Sequence, residues 1–221
     1  GSLSVGKDSS INGNTTSSGQ GASITIKAGT LTLDGNGGMA SISSESMRGT
    51  TPSGVEATGD GGSVDIVASR LTLRNGGQIK TSTATAGNAG VATVAVDSLL
   101  IDGANNPQLL TGIVGSTSGA GDSQTISVTA TEDIALVRLG QISASTNGAG
   151  QAGNIAVRAG TVLIDGKLKT DGNGNGNGPL LTSNISAEAG PTSSGKTGNL
   201  TVDATSSVTL SNGGKLSVQN S

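Results

Sequence analysis

Apolar residues alternate with polar ones in short stretches of this chain, within a longer pattern that occurs six times. The first copy reads Ile24-Thr25-Ile26-Lys27-Ala28, then Leu31-Thr32-Leu33-Asp34-Gly35, then a stretch around Ile42. Later copies begin at Val64, Ala92, Ile126, Ile155 and Leu200. Alternation with a period of two is typical of strands that bury one face. Each copy therefore predicts three short strands separated by turns rich in Gly, Asn and Ser.

Equivalent positions keep the same size from copy to copy. The first strand of each copy ends in a small residue, namely Ala28, Ala68, Val96, Ala130, Ala159 and Ala204. The third strands are centred on Ile42, Ile79, Ile113, Ile142, Ile185 and Leu216. Such conservation of size favours residues stacked on one another, about 4.8 Å apart. We predict an all-β parallel β-helix, or β-solenoid, of about six three-stranded coils of roughly 28 residues plus loop insertions, forming one domain over residues 1–221.

The first residues of the chain fit an incomplete copy. Leu3-Ser4-Val5 resembles a third strand, so we expect the chain to begin and end in the same phase, since Leu216-Ser217-Val218 is also a third strand. On this assignment the first two links from a third strand to the next first strand span 21 and 22 positions, against 13 in three other copies. Long links in consecutive copies predict two loops that touch.

Three insertions mark where specificity would lie, because extra residues in repeat proteins collect in loops on a binding face. They cover residues 43–60, 103–112 and 166–184. The last contains the tract Asp171-Gly172-Asn173-Gly174-Asn175-Gly176-Asn177-Gly178-Pro179. Asp and Asn oxygens are calcium ligands, but the tract has one charged residue and lacks the spacing of a calcium loop. We interpret it as a solvated loop, with calcium binding as the alternative.

Composition excludes several classes of site. The 221 residues include 38 Gly but no Cys, His, Trp, Tyr or Phe, and the formal charge is −3. There is thus no Ser-His-Asp triad, cysteine nucleophile or ordinary zinc site, and no aromatic platform for stacking bases or sugars. We expect no nucleic-acid partner and no membrane insertion. No residue is predicted to be catalytic, to bind a cofactor or to hold a metal ion.

One polar position recurs after the second strand of each copy. It is occupied by Asp34, Arg74, Asp102, Val137, Asp165 and Ser211. This column is either a recognition stripe or a solvated ladder of alternating charges, and we favour the ladder. Glu132-Asp133 is the one adjacent acidic pair, and we place it at a turn of the fourth copy. Carboxylates alone can cleave glycosidic bonds, but the acidic residues scatter over the copies, so we expect the protein not to be an enzyme.

The repeats resemble those of secreted exoproteins of the filamentous-haemagglutinin type, which are exported by two-partner secretion. The resemblance is carried by Gly61-Gly62-Ser63-Val64-Asp65-Ile66 through Ile79, and by Gly140-Gln141-Ile142-Ser143 through Ile155, and it extends from about residue 21 to residue 221. It implies a right-handed parallel β-helix within a fibrous adhesin or cell-surface protein, secreted and located outside the bacterial cell. Asn105-Asn106-Pro107 is too short to match the family's export motifs, so we expect an internal shaft segment.

Three functions follow as hypotheses. The first is a structural and interaction module of a bacterial surface adhesin, used in cell adhesion or biofilm formation, with a glycan or another cell-surface ligand as its partner. The alternative is a self-assembling subunit of an extracellular fibre or surface layer, joined head to tail, because open β-helix ends expose unpaired backbone groups. The second alternative is a carboxylate-based polysaccharide hydrolase or lyase.

Overall fold

Two parallel sheets of seven strands each form the protein. The structure is a computed structural model that describes residues 1–49, 58–103, 108–166 and 182–220. Every strand pair in these ranges is parallel, and the described residues contain no helix. The prediction of an all-β, parallel-stranded chain is therefore confirmed.

The chain alternates between the two sheets. Sheet one contains the odd-numbered strands in the order β1 (Ser2–Val5), β3 (Ile24–Asp34), β5 (Val64–Arg74), β7 (Ala92–Asp102), β9 (Ile126–Val137), β11 (Ile155–Asp165) and β13 (Leu200–Ser211). Sheet two contains the even-numbered strands β2 (Ser9–Asn12), β4 (Ala40–Ser43), β6 (Gly77–Lys80), β8 (Thr111–Thr117), β10 (Gly140–Thr146), β12 (Asn184–Ala189) and β14 (Lys215–Asn220). Each strand thus pairs with the strand two places further along the chain.

The register places like residues beside like residues. In sheet one the aligned positions include Ile24, Val64, Ala92, Ile126, Ile155 and Leu200. In sheet two they include Ile11, Ile42, Ile79, Ile113, Ile142, Ile185 and Leu216. The columns predicted from residue size are confirmed, because a one-residue slip would turn every apolar side chain to the opposite face.

The inward-facing side chains of both sheets form one aliphatic core. Leu31 and Leu73 of sheet one and Ile113 and Ile142 of sheet two are 0% exposed and belong to the same cluster. Stacked aliphatic side chains fill this space in a protein that has no aromatic residue. The intervening residues of the same strands, such as Thr32, face outward.

The structure has two strands per copy where the sequence analysis predicted three. The predicted first and second strands belong to one strand of 11 or 12 residues in each odd-numbered strand from β3 to β13, because the strand continues past the alanine column. In some pairs the register shifts next to this column, for example between Val96 and Ser98. Glu132 and Asp133 lie there, inside β9, so their placement at a turn was wrong.

The assignment of the first residues was also wrong. β1 pairs with Thr30–Leu33, so Leu3 and Val5 belong to the second-strand position and Ile11 takes the third-strand position opposite Ile42. Ile11 precedes Ile24 by the usual 13 positions, so the leading connection is not a long loop. It does contact the next connection, since the Glu45 amide donates to Asn14 Oδ1 at 2.9 Å and the Met47 amide donates to the Thr15 carbonyl oxygen at 2.8 Å. The first and last strands differ in phase. A period-two pattern fits either position, and only the pairing distinguishes them.

The connections from sheet two back to sheet one stack on a column of glycines, which we call the glycine corner. Its members are Gly19, Gly59, Gly87, Gly121, Gly150 and Gly195, each one copy apart. A Cβ on Gly121 would overlap the carbonyl oxygen of Gly87. Buried hydroxyls close the same turns, since Thr83 donates to the oxygen of Gly87 and Thr117 to that of Gly121, both at 2.6 Å. Backbone therefore lies directly on backbone at this corner.

We expect Gly121→Ala to lower the free energy of unfolding by about 2 kcal/mol, since the added methyl forces stacked backbones apart. Gly6→Ala is the matched control, because nothing lies within 4 Å of a Cβ at that exposed position. Its effect should stay within about 0.5 kcal/mol. Urea unfolding followed by far-UV circular dichroism measures both variants, and equal midpoints for the two would contradict the stacking.

Candidate functional site

We call the edge at which the chain passes from sheet one to sheet two the loop corner. The connections there alternate between short and long. The β1–β2, β5–β6, β9–β10 and β13–β14 connections have two or three residues, whereas β3–β4, β7–β8 and β11–β12 have five, eight and 18. The strand ends that carry the long connections lie on every second copy, roughly 10 Å apart, which is twice the strand spacing. The predicted insertions 103–112 and 166–184 thus emerge at one corner, and residues 35–39 are a third, shorter member.

The insertion at 43–60 lies elsewhere, at the glycine corner. Its first residues remain in the stack, since the amides of Ser44 and Ser46 donate to the carbonyl oxygens of Lys80 and Ser82. Residues 50–57, including Glu56, lie outside the described residues, as do residues 104–107 and 167–181 of the other insertions. The tract Asp171–Pro179, considered for calcium, falls within the last of these ranges.

An aspartate stands before each long connection and is bound by the next, short turn. The Asn75 side chain donates to Asp34 at 2.9 Å, and that of Asn212 donates to Asp165 at 2.7 Å. At the equivalent position Arg138 donates to Asp102 through both Nε, at 2.8 Å, and Nη2. Each long loop is therefore fixed at its start by the turn of the following copy.

At this corner the pKa of Asp34 and the pKa of Arg138 both shift in the direction that favours the charged form. Burial raises the pKa of Asp34, but hydrogen bonds from Asn75 and the Asn36 amide, with the Arg74 charge, outweigh it and leave the pKa below its usual value. This carboxylate therefore stabilises the fold above its unfolded-state pKa and loses that contribution as the pH falls through the folded value. Asp102 raises the pKa of Arg138 through hydrogen bonds and its charge.

The predicted column of polar positions is present in the register, and it forms specific contacts. Asp34, Arg74 and Asp102 align on adjacent strands, and Arg74 Nε lies 2.9 Å from Asp34 Oδ2. Both partners of this pair are partly exposed, so the pair contributes under about 1 kcal/mol. The ladder interpretation describes the Asp34–Arg74 pair, but it missed the hydrogen bonds from Asn75, Arg138 and Asn212 in the turns.

The Arg138–Leu139 turn is strained. Short turns elsewhere place Asn-Gly pairs at positive φ, with Asn75 at 50° and Gly76 at 94°. Arg138 and Leu139 adopt φ values of 47° and 79° without a glycine. A left-handed conformation costs a residue with a side chain roughly 1–2 kcal/mol. Such strain persists where surrounding contacts over-determine the backbone.

Contacts with two loop bases surround this turn. The Leu139 amide donates to the Ser183 hydroxyl at 3.1 Å, and that hydroxyl donates to the Asp165 carbonyl at 2.8 Å. On the other side a Cβ on Gly103 would lie 3.0 Å from the Leu139 Cβ. Leu139 is 6% exposed. The turn therefore joins the base of the 103–112 loop to the base of the 166–184 loop.

The described bases of the long loops are polar, and the strand pairing sets the spacing between them. Within the described ranges no three Asp or Glu side chains lie where they would hold a metal ion together. The sequence already contains this alternation, because the number of residues between the second-strand and third-strand positions is small in one copy and large in the next. It was not among the predictions.

Comparison of the chain with protein-family models, with curated proteins and with solved structures finds no match in any of the three. Among the described residues no helix is long and apolar enough to span a membrane.

We expect Arg138→Ala to lower the free energy of unfolding by about 1 kcal/mol, because the largely buried Asp102 carboxylate loses its charged donor. Arg138→Asn should stay within about 0.5 kcal/mol of the wild type, since Asn tolerates the left-handed conformation and Asn75 and Asn212 donate from the equivalent position. Urea unfolding at pH 7 measures both. Arg158→Ala is the control, because its ion pair with Asp203 is exposed on both sides and contributes little. Equal losses in the Ala and Asn variants would contradict the assigned role.

Proposed function

We propose that this chain is a rigid module of a secreted bacterial surface adhesin of the filamentous-haemagglutinin type, with the loop corner as its interaction surface. The observation that carries the proposal is the alternation of long and short connections along one corner of a regular stack. Long connections that begin on every second strand of a regular stack start at constant spacing, and repeat proteins carry loops in this way on their binding faces.

The proposal includes the finer architecture. The two sheets would be faces of one right-handed parallel β-helix, in which each copy is a coil. Support comes from the parallel pairing of strands two places apart in both sheets. A connection between parallel strands of one sheet is almost always right-handed. Each coil is hydrogen-bonded to both neighbours, which would make the module a stiff spacer.

Its ligand would be a glycan or another cell-surface molecule, and its location would be outside the bacterial cell. The lack of cysteine in the chain is compatible with an extracellular protein. The loop corner carries both signs of charge, with Asp34, Asp102 and Asp165 beside Arg74 and Arg138. Such a mixture favours hydrogen-bonded recognition over attraction by net charge.

The test shortens the loops without touching the sheets. One variant replaces residues 103–110 by Asn-Gly, as in the β5–β6 turn, and another replaces residues 166–183 in the same way. Both should keep the circular dichroism spectrum of the wild type and lose binding to cell surfaces at least about tenfold. Removing residues 50–57 from the 43–60 insertion is the control and should leave binding unchanged. Undiminished binding by both loop variants would contradict the proposed surface.

A second candidate, self-association end to end, is favoured by the last strands. Val208 and Leu210 of β13 and Val218 of β14 are 41%, 45% and 52% exposed, although their columns are buried inside the stack. Among the described residues these two strands have no partner on their outer edges. A second copy in register would place Leu3 on Val208 and Ile11 on Leu216. The short β1 would leave Leu200–Ala204 uncovered, so this contact would be incomplete.

Sedimentation velocity over a range of concentrations tests the second candidate. We expect concentration-dependent growth for the wild type and at least about tenfold weaker association for Val208→Lys, which places a charge on the apolar edge. Ser207→Lys is the matched control at a neighbouring outward position. A strict monomer at high concentration would contradict end-to-end assembly.

A further inference from the structure

A polar groove runs across successive copies at the glycine corner, away from the loop corner. Its floor is formed by buried glycines at one repeated position, Gly90, Gly153 and Gly198, with Gln124 between the first and second. A Cβ on Gly90 would overlap the carbonyl oxygen of Gly62, and one on Gly198 that of Gly153. The floor is therefore almost bare backbone. Two open clefts of about 370 and 330 Å³ lie along it, and Gln124 lines both.

One wall of the groove is an ordered ladder of polar side chains. Asp60 Oδ1 accepts a hydrogen bond from the Asn88 amide at 2.6 Å, and Asn88 Oδ1 accepts one from the Asp122 amide at 2.9 Å. Asp122 Oδ1 in turn accepts from the Gln151 amide at 2.8 Å. One atom of each side chain is thus used to fix its position. The second carboxylate oxygens of Asp60 and Asp122 and the Nδ2 of Asn88 make no hydrogen bond within the described ranges and are available to a ligand.

The opposite wall repeats this arrangement near the far end. Asn154 Oδ1 accepts from the Asn199 amide at 2.8 Å, which fixes the side chain and leaves Asn154 Nδ2 as a donor. Acceptors and donors consequently recur along the groove at the strand spacing of about 4.8 Å. Their rotamers are set before any ligand arrives, which lowers the entropic cost of binding.

The groove is unsuited to an added peptide strand. The backbone groups beside its floor already pair between copies. The Gly61 amide donates to the Asn88 carbonyl oxygen, and the Ala89 amide donates to the Asp122 carbonyl oxygen. A peptide would find no free strand edge here. An anionic polymer would meet the carboxylates of Asp60 and Asp122. The free acceptors and donors suit hydroxyl groups, which both donate and accept.

We propose that this groove binds an extended, neutral, β-linked glycan lying along the stack. Successive sugars of an extended β-1,4-linked chain are turned over, and their two-sugar repeat is close to two strand spacings, about 9.6 Å. Every second sugar would therefore meet an equivalent side chain, as Asp60 and Asp122 lie two copies apart with Asn88 between them. Contact is made by hydrogen bonds to Asp60, Asn88, Asp122 and Asn154 rather than by aromatic stacking. The proposal requires the strand register and is independent of the proposed role of the loop corner.

Binding of cellohexaose to the intact chain, measured by calorimetry, tests the proposal. The double variant Asp60→Asn with Asp122→Asn keeps the oxygens that accept from the Asn88 and Gln151 amides and removes only the charged free acceptors. It should bind about tenfold more weakly, because hydrogen bonds to charged groups are the stronger ones. Asp203→Asn, on an exposed outward position of β13, is the matched control and should bind like the wild type. Maltohexaose, whose path is helical, and polygalacturonate should bind at least about tenfold more weakly than cellohexaose.

Several results would overturn the assignment. These are no binding of cellohexaose at millimolar concentration, equal affinity of the double variant and the wild type, or tighter binding of polygalacturonate. The variants with shortened loops at residues 103–110 and 166–183 separate this groove from the loop corner. They should retain cellohexaose binding, and its loss in them would also overturn the assignment.

Discussion

The parallel hydrogen bonding of each copy to the next is the constraint on which the rest of the structure depends. A strand can pair on both edges only if its neighbours follow the same path at a spacing of about 4.8 Å. Equivalent positions must then have similar volume, which explains the columns headed by Ile24 and Ile42. It also explains why Gly121 has no side chain, since its Cβ position is occupied by a neighbouring carbonyl. Residues in excess of this repeated path must lie in loops outside the paired strands.

Residues leave the stack mainly at one corner, and the corner is built to hold them. Asp34, Asp102 and Asp165 each end a long strand and accept hydrogen bonds from the following turn. One of the two-residue turns contains an Arg-Leu pair in a left-handed conformation, and contacts on both sides hold it there. The strained turn thus makes contacts that fix the bases of two loops.

Much of the fold was accessible from the sequence because it depends on side-chain size and period. The columns of Ile, Val, Leu and Ala predicted a parallel stack, and the register confirmed it. The phase of Leu3-Ser4-Val5 was not accessible, since an apolar-x-apolar stretch fits more than one column and the pairing with Thr30–Leu33 decides. Each long strand was predicted as two short ones, because a register shift beside the alanine column does not end the strand. The loop corner could have been predicted only by comparing, from copy to copy, the distance between second-strand and third-strand residues. The left-handed turn at Arg138 could not be predicted, because Arg and Leu are not residue types that favour it.

The alternation of connections at the loop corner makes a pair of copies the smallest exchangeable unit of this protein. Inserting or removing two copies preserves the sequence of one long loop followed by one short turn. Removing a single copy would instead bring two long loops to neighbouring levels, about 4.8 Å apart, or place two short turns together. An aspartate such as Asp102 would then face another loop instead of the turn that binds it. Lengthening or shortening the stack in steps of two copies is therefore the change that this architecture accommodates.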